Sequence, residues 1–253
     1  MSDVVAVTDS ELTAAATRGA GVLNGSGLVV APVGGTYGLL ANVASPAAID
    51  RVFAARGAPR SAPLGVIIHN PRALPTFVQE VPEEADRLVS AYWPGPLTLI
   101  FRLADALDWH LGESAGHVAL RMPAEPLSLM LISKVGPLAC TAAAPAGAPA
   151  PTTVADAQAG LADAVDLYLD GGPRDGTTST VVDVSRGRAE VLRVGEVPAH
   201  HVAQVAAGEL PLGSRPVDPP EGEDAASGET TGDGDAESPP TEGTTGEEDE
   251  EPR

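Results

Sequence analysis

The chain has 253 residues, 43% of them hydrophobic, and a formal net charge of −20. That acidity excludes a protein that coats nucleic acid non-specifically, since binding to phosphates needs an excess of Lys and Arg. A single cysteine, Cys140, excludes an internal disulfide, and no apolar run approaches the ~20 residues of a membrane helix. Thr8 or Ser10 is placed to cap a helix running to about Gly21. Gly27 to Val33 reads as a buried strand, followed by the Gly-rich turn Gly34-Gly35-Thr36-Tyr37-Gly38. Ser45-Pro46 supplies an N-cap and first-turn pair for a helix through Ala55. Leu64 to Ile68 is a short β-branched strand, and Val81 to Ala91 a helix with Pro82 and two glutamates at its start. Leu97 to Leu103 and His117 to Met122 are strands. Leu127 to Val135 is a helix and Pro137 to Cys140 a strand. Thr153 caps a helix to about Ala162. Val165 to Leu169, Thr180 to Val184 and Ala189 to Val194 are strands, and Pro198 to Ala207 is the last helix.

Strands and helices alternate irregularly, which predicts an α/β domain around a mixed sheet. Residues 1–207 form that domain. Residues 208–253 read as a disordered, acidic, low-complexity tail: Val217 to Arg253 holds 14 acidic residues, one Arg and no aromatic side chain. Such a segment cannot bury enough apolar surface to offset its ordering entropy. The acidic start of the chain, Met1 to Thr17, lacks a charged-then-apolar signal pattern, so the expected location is cytoplasmic with no membrane partner.

Three blocks stand out: Tyr92-Trp93-Pro94-Gly95-Pro96-Leu97-Thr98-Leu99, Val118-Ala119-Leu120-Arg121-Met122-Pro123, and Ser179-Thr180-Val181-Val182-Asp183 with Arg193-Val194-Gly195 behind it. In the first, proline fixes φ and glycine allows a tight corner that leads into an apolar strand. Arg121 at a strand end suits either bidentate pairing with phosphate or carboxylate, or a surface ion pair. Ser179 and Thr180 either donate to phosphate oxygens or express ordinary β-propensity. Five scattered histidines show no metal-ligand spacing, and no nucleophilic triad or P-loop stands out, so no metal site and no catalytic residue is assigned.

In that order the blocks resemble the YrdC-like (TsaC-like) family, the threonylcarbamoyl-AMP synthases of tRNA modification. The resemblance runs from about Gly27 to Gly195 and implies a twisted mixed β-sheet with packed helices and an open concave cavity. It implies a reaction of L-threonine, bicarbonate or carbon dioxide, and ATP with Mg2+, giving threonylcarbamoyl-AMP and pyrophosphate. It also implies transfer RNA or double-stranded RNA as the macromolecular partner. Nucleotide-binding positions carried over by resemblance are Arg56, Arg60, Arg121, Thr141, Ser179, Thr180 and Arg193. Thr36 and Tyr37 fall in the threonine pocket.

The chain departs from the family where ligands are expected. The family's Pro-Thr-Asp-Thr-Val-Tyr-Gly is here Pro32-Val33-Gly34-Gly35-Thr36-Tyr37-Gly38. Its Lys-Gly-Arg is Arg56-Gly57-Ala58, and its Ser-Ser-Ala-Asn is Thr141-Ala142-Ala143-Ala144. These losses give two expectations: a synthase with weakened or altered activity, or a catalytically degenerate paralogue acting as a nucleotide-, RNA- or protein-binding module. On either, restoring Arg at Ala58, Ser at Ala142, Asn at Ala144, and the family residues at Val33, Gly34 and Gly35 should rebuild the site.

Overall fold

A computed structural model describes residues 3–210, so the acidic tail beyond Leu210 lies outside the described residues. The strands are β1 (Asp3–Ala6), β2 (Val29–Pro32), β3 (Tyr37–Asn42), β4 (Gly65–Ile67), β5 (Leu97–Arg102), β6 (His117–Arg121), β7 (Leu138–Ala142), β8 (Leu167–Asp170), β9 (Thr180–Asp183) and β10 (Glu190–Arg193). The α-helices are α1 (Leu12–Asn24), α2 (Pro46–Arg56), α3 (Leu74–Phe77), α4 (Glu83–Tyr92), α5 (Pro126–Val135), α6 (Val154–Leu161) and α7 (Ala199–Ala206). All the strands join one mixed sheet in the order β1-β8-β2-β3-β7-β4-β6-β5-β9-β10.

Local chemistry sets the helix ends. The Ser45 hydroxyl accepts from the Ala48 amide with Pro46 in the first turn of α2, and the Thr153 hydroxyl accepts from the Asp156 amide at α6. At α1 the N-cap is Glu11; Thr8 donates its hydroxyl and its amide to the Glu11 carboxylate, the glutamate half of a capping box. Strands β1 and β3 are additions to the sequence reading. β3 follows the four-residue loop Val33 to Thr36 and pairs antiparallel with β2, Pro32 opposite Tyr37.

The two sheet faces carry different cores. Helices α2, α4, α6 and α7 bury Ile49, Phe53, Leu88, Tyr92, Leu161 and Val205 against one face, over Leu39, Leu97, Leu99, Leu120 and Val182. On the other face α1 and α5 bury Leu23, Leu131 and Ile132 over Val29, Ala31, Leu40 and Leu169. These two helices pack on each other and cover the β8-β2-β3 end. Beyond them, the strands β6, β5 and β9 turn Ala119, Arg121, Thr98 and Val181 to a face with no helix over it, alternating with buried Leu120, Leu97, Leu99 and Val182. That uncovered half of the sheet is where the cavity forms.

Candidate active site

The cavity has a volume of about 410 Å³ and is lined by residues from seven strands, β3 to β7 with β9 and β10, by the Val33–Thr36 turn and by the end of α2. This is within the usual size of a small-molecule site, roughly 300–1,000 Å³. Three arginines reach it: Arg56, Arg121 and Arg193. Each is held by a main-chain carbonyl. Arg56 donates Nε to Ala144 O at 2.9 Å and Nη1 to the Thr141 hydroxyl at 2.6 Å. Arg121 donates Nε to Gly95 O at 2.9 Å. Arg193 donates Nη2 to Ser179 O at 2.9 Å. A guanidinium has five N–H donors in a fixed plane, so one or two such bonds orient it and leave others for a ligand.

The Trp-Pro-Gly-Pro corner explains the placement of Arg121. Trp93 donates its indole N–H to Leu97 O at 2.7 Å, and the Gly95 amide donates to Met122 O at 2.8 Å. The Trp93–Pro94 peptide is cis. The corner is thereby pinned at both ends, and the carbonyl between them receives Arg121. Burial lowers the Arg121 pKa from its ordinary value, with Arg193 nearby lowering it and Glu196 raising it. Burial likewise lowers that of Arg56. A guanidinium starts so high that both remain cationic.

Hydroxyls complete the lining: Thr36, Thr98, Thr141, Thr178 and Ser179. Ser179 is buried, and its Oγ lies 2.9 Å from Thr98 Oγ1. Cys140 also lines the cavity; burial pushes its thiol up to about 11, partly countered by Arg121. It is a protonated wall residue at neutral pH, not a thiolate nucleophile. Among the described residues no group of three His, Cys, Asp or Glu gathers to hold a metal.

Several sequence expectations are thus brought together here: Arg56, Arg121, Thr141, Ser179, Arg193, Thr36 and Tyr37 line one cavity. Tyr37 enters it as a post. Its side chain is buried and its hydroxyl donates to Gly172 O at 2.8 Å. Burial, then Asp170, push its pKa up to about 12.

Arg60 and Thr180 are not among the lining residues. Arg60 forms an ion pair with Asp50 and stacks over the Phe53 ring, 4.3 Å from its centroid. A favourable local partner on the preceding helix has turned it away from the sheet face. Thr180 is fully buried on the opposite side of β9; its hydroxyl donates to Val197 O at 2.6 Å and accepts from the Gly195 and Val197 amides. It fixes the turn after Arg193. Ala58 also faces elsewhere, packed against the core beside Phe53. Ala142 does line it, while buried Ala144 contributes its carbonyl to Arg56.

A second cavity of about 460 Å³ adjoins the first and shares Arg121 with it. Sequence reasoning missed its polar wall: Glu125, Arg174, Asp175, Thr177 and Glu196. Arg174 and Glu125 form an ion pair at 3.1 Å, both largely buried. The Asp175 carboxylate accepts from the Thr177 amide and hydroxyl, which hold its pKa below the usual value.

With this geometry in place, comparison with known proteins is decisive. A family model named Sua5/YciO/YrdC and described as "Telomere recombination" matches residues 21–195. The chain belongs to the Sua5/YciO/YrdC family. It is 36% identical over 186 residues to a Mycobacterium tuberculosis protein provisionally named a threonylcarbamoyl-AMP synthase, covering 73% of this chain and 86% of that one. Pyrococcus abyssi Sua5 in complex with L-threonine superposes with a TM-score of 0.74 at 30% identity, covering 81% of this chain and 61% of that one. The chain therefore spans under two thirds of the archaeal protein. Escherichia coli YciO, with a TM-score of 0.69 and 21% identity, covers 78% of this chain and 97% of that one and shares the fold.

Proposed function

We propose that this Sua5/YciO/YrdC protein is a threonylcarbamoyl-AMP synthase acting in the tRNA threonylcarbamoyladenosine pathway. The observation that carries the reading is the set of three arginines, each oriented by a main-chain carbonyl, around one cavity. Transfer to the α-phosphate of ATP depends on positioning and charge stabilisation rather than on a protein nucleophile. Preorganised cations with hydroxyls between them suit that task, and a protonated Cys140 offers no competing nucleophile.

In this reading threonine and bicarbonate give the threonine N-carboxylate with loss of water. A carboxylate oxygen then attacks the α-phosphorus, the bond to pyrophosphate breaks, and threonylcarbamoyl-AMP forms. Arg56, Arg121 and Arg193 stabilise phosphate charge, while Thr141 and Ser179 donate hydrogen bonds beside them. Mg2+ arrives with ATP as part of the substrate, held by phosphate oxygens; the cavity wall offers arginines and hydroxyls rather than clustered carboxylates. Bicarbonate as the carbon source, an RNA partner downstream and a cytoplasmic location belong to the same proposal. Among the described residues no helix is long and apolar enough to cross a membrane.

The rival reading, a silent paralogue, rested on missing polar groups at three motifs. Of those positions Ala142 lines the cavity, while Ala144 supplies its main-chain carbonyl to Arg56. The test is pyrophosphate release by the full chain with ATP and Mg2+. Release that requires both L-threonine and bicarbonate supports the synthase; release unaffected by leaving out threonine, or none at all, overturns it.

A further inference from the structure

The Trp-Pro-Gly-Pro corner runs directly into β5, whose second residue is Thr98. Leu97 and Leu99 on either side of it are buried in the core, so alternation turns Thr98 to the uncovered face, where it lines the cavity. β5 lies parallel to β9 with Leu97 opposite Thr180 and Thr98 opposite Val181, and the Thr180 amide donates to Pro96 O at 2.9 Å. That register sets Thr98 beside Ser179, the residue that leads into β9, with the two hydroxyl oxygens 2.9 Å apart.

The Ser179 main chain is clamped from the other side. A Cβ on Gly195 would lie 2.6 Å from both the carbonyl carbon and the carbonyl oxygen of Ser179, so glycine is what lets the segment after β10 press against it. The Glu196 amide donates to Thr178 O at 2.9 Å, and Arg193 Nη2 to Ser179 O at 2.9 Å. With the backbone fixed, the direction of one O–H bond is left to be set by its neighbours.

A serine hydroxyl has one proton and two acceptor sites. Arg193 Nη2 can only donate, and it also approaches Ser179 Oγ, at 3.4 Å. When Thr98 donates to the second acceptor site, both lone pairs of Ser179 Oγ are occupied by protein donors and its proton is left for the cavity. In the reverse arrangement Ser179 spends its proton on Thr98 and offers none to a ligand. The oxygens of a phosphate or a carboxylate accept and do not donate, so an anionic substrate selects the first arrangement.

We propose, on the synthase reading, that Thr98 is a positioning residue: by donating to Ser179 Oγ it commits the Ser179 proton to an anionic oxygen of the bound substrates. Donors aligned in series polarise one another, so the Thr98 and Arg193 bonds also strengthen the donor that the substrate meets. The corner block thus has two tasks, presenting Gly95 O to Arg121 and delivering Thr98 to Ser179.

The experiment compares four full-length proteins, the parent, Thr98→Val, Ser179→Ala and the double variant, by initial rates of pyrophosphate release at varied ATP and at varied L-threonine, with thermal unfolding alongside. Thr98→Val keeps the shape of the side chain and removes the proton, and is expected to lower kcat about tenfold. Thr98→Ser should recover at least a third of the parental kcat, and Thr98→Ala gives the same reading as the valine variant should that one not fold. On the Ser179→Ala background, Thr98→Val should change kcat by no more than about twofold, because the group it acts through is gone. A KM for ATP that rises with the loss places the anionic oxygen on phosphate, and a raised KM for L-threonine places it on the amino-acid carboxylate. A Thr98→Val protein within about twofold of the parent, or losses that multiply in the double variant, overturns the inference. If the parent shows no threonine-dependent release, the synthase reading fails by itself, and calorimetric titration of the same four proteins with ATP and Mg2+, then with L-threonine, decides the positioning role. Losses of affinity that fail to multiply uphold it; multiplied losses, equal affinities or no binding overturn it.

Discussion

Arg121→Ala removes the one cation that, among the described residues, borders both cavities. Its guanidinium is half-buried, oriented by Gly95 O at 2.9 Å, and lies against Gly34. Loss of one preorganised charged donor costs about 3–4 kcal/mol of transition-state stabilisation, a factor of roughly 100 to 1,000 in rate. The same change frees only one main-chain carbonyl, at a turn still pinned by Trp93 and the Gly95 amide, so the fold should survive. Arg121→Lys keeps charge but loses the planar fork, and should recover less than a tenth of the parent rate. The assay is the initial rate of threonine-dependent pyrophosphate release, with thermal unfolding to confirm folding. A folded Arg121→Ala protein within about threefold of the parent would refute the reasoning that this cation faces developing charge.

Further outcomes follow from the same geometry. Arg60→Ala should leave pyrophosphate release within about twofold and reduce stability by no more than ~1 kcal/mol, since an exposed ion pair contributes little; a large rate loss would return Arg60 to the site. Thr180→Val orphans a buried carbonyl and two amides and should cost roughly 2–3 kcal/mol, lowering the melting temperature by about 5–10 °C; an unchanged melting curve would contradict its structural role. Tyr37 holds its proton more tightly folded than unfolded, so its contribution to stability is full below about pH 10 and is lost as pH rises towards about 12. Tyr37→Phe should flatten that alkaline decline in denaturant titrations at successive pH values, leaving the part due to Tyr168, whose pKa burial also pushes up to about 12. Cys140, with its thiol pushed up to about 11, should react with iodoacetamide far more slowly than free cysteine at pH 8; comparable alkylation rates by mass spectrometry would show that the thiol is not buried against the sheet.

Elements whose signals are local were legible in the chain. Ser45-Pro46 and Thr153 announce their helices because capping is a contact over three residues. Strands β5, β6 and β9 declare themselves by alternation. The hairpin partner β3 was hidden because its residues follow directly on Gly34-Gly35-Thr36, and a glycine-rich turn masks where a strand resumes. The start of α1 was misplaced because Thr8 bonds to Glu11 rather than to the helix. In the site, Arg56, Arg121 and Arg193 could be placed from motif and strand position. Thr180 could have been excluded by parity alone: Ser179 and Val181 line the cavity, so the residue between them on the strand faces the core. Arg60 could not, because its direction is decided by Asp50 and Phe53 across a helix end. The approach of Asp175 to Gly35 was also illegible, since 140 residues separate the two and only tertiary packing brings them together.

The central claim is that this chain joins threonine, bicarbonate and AMP. The most direct measurement supplies carbon-13 bicarbonate, L-threonine, ATP and Mg2+ to the purified full-length protein and analyses the products by mass spectrometry. The account predicts a species containing threonine, AMP and one labelled carbonyl carbon, formed in step with pyrophosphate and absent from the Arg121→Ala reaction. Pyrophosphate and AMP without a labelled threonine adduct at early times, or no turnover by a folded protein, would contradict it.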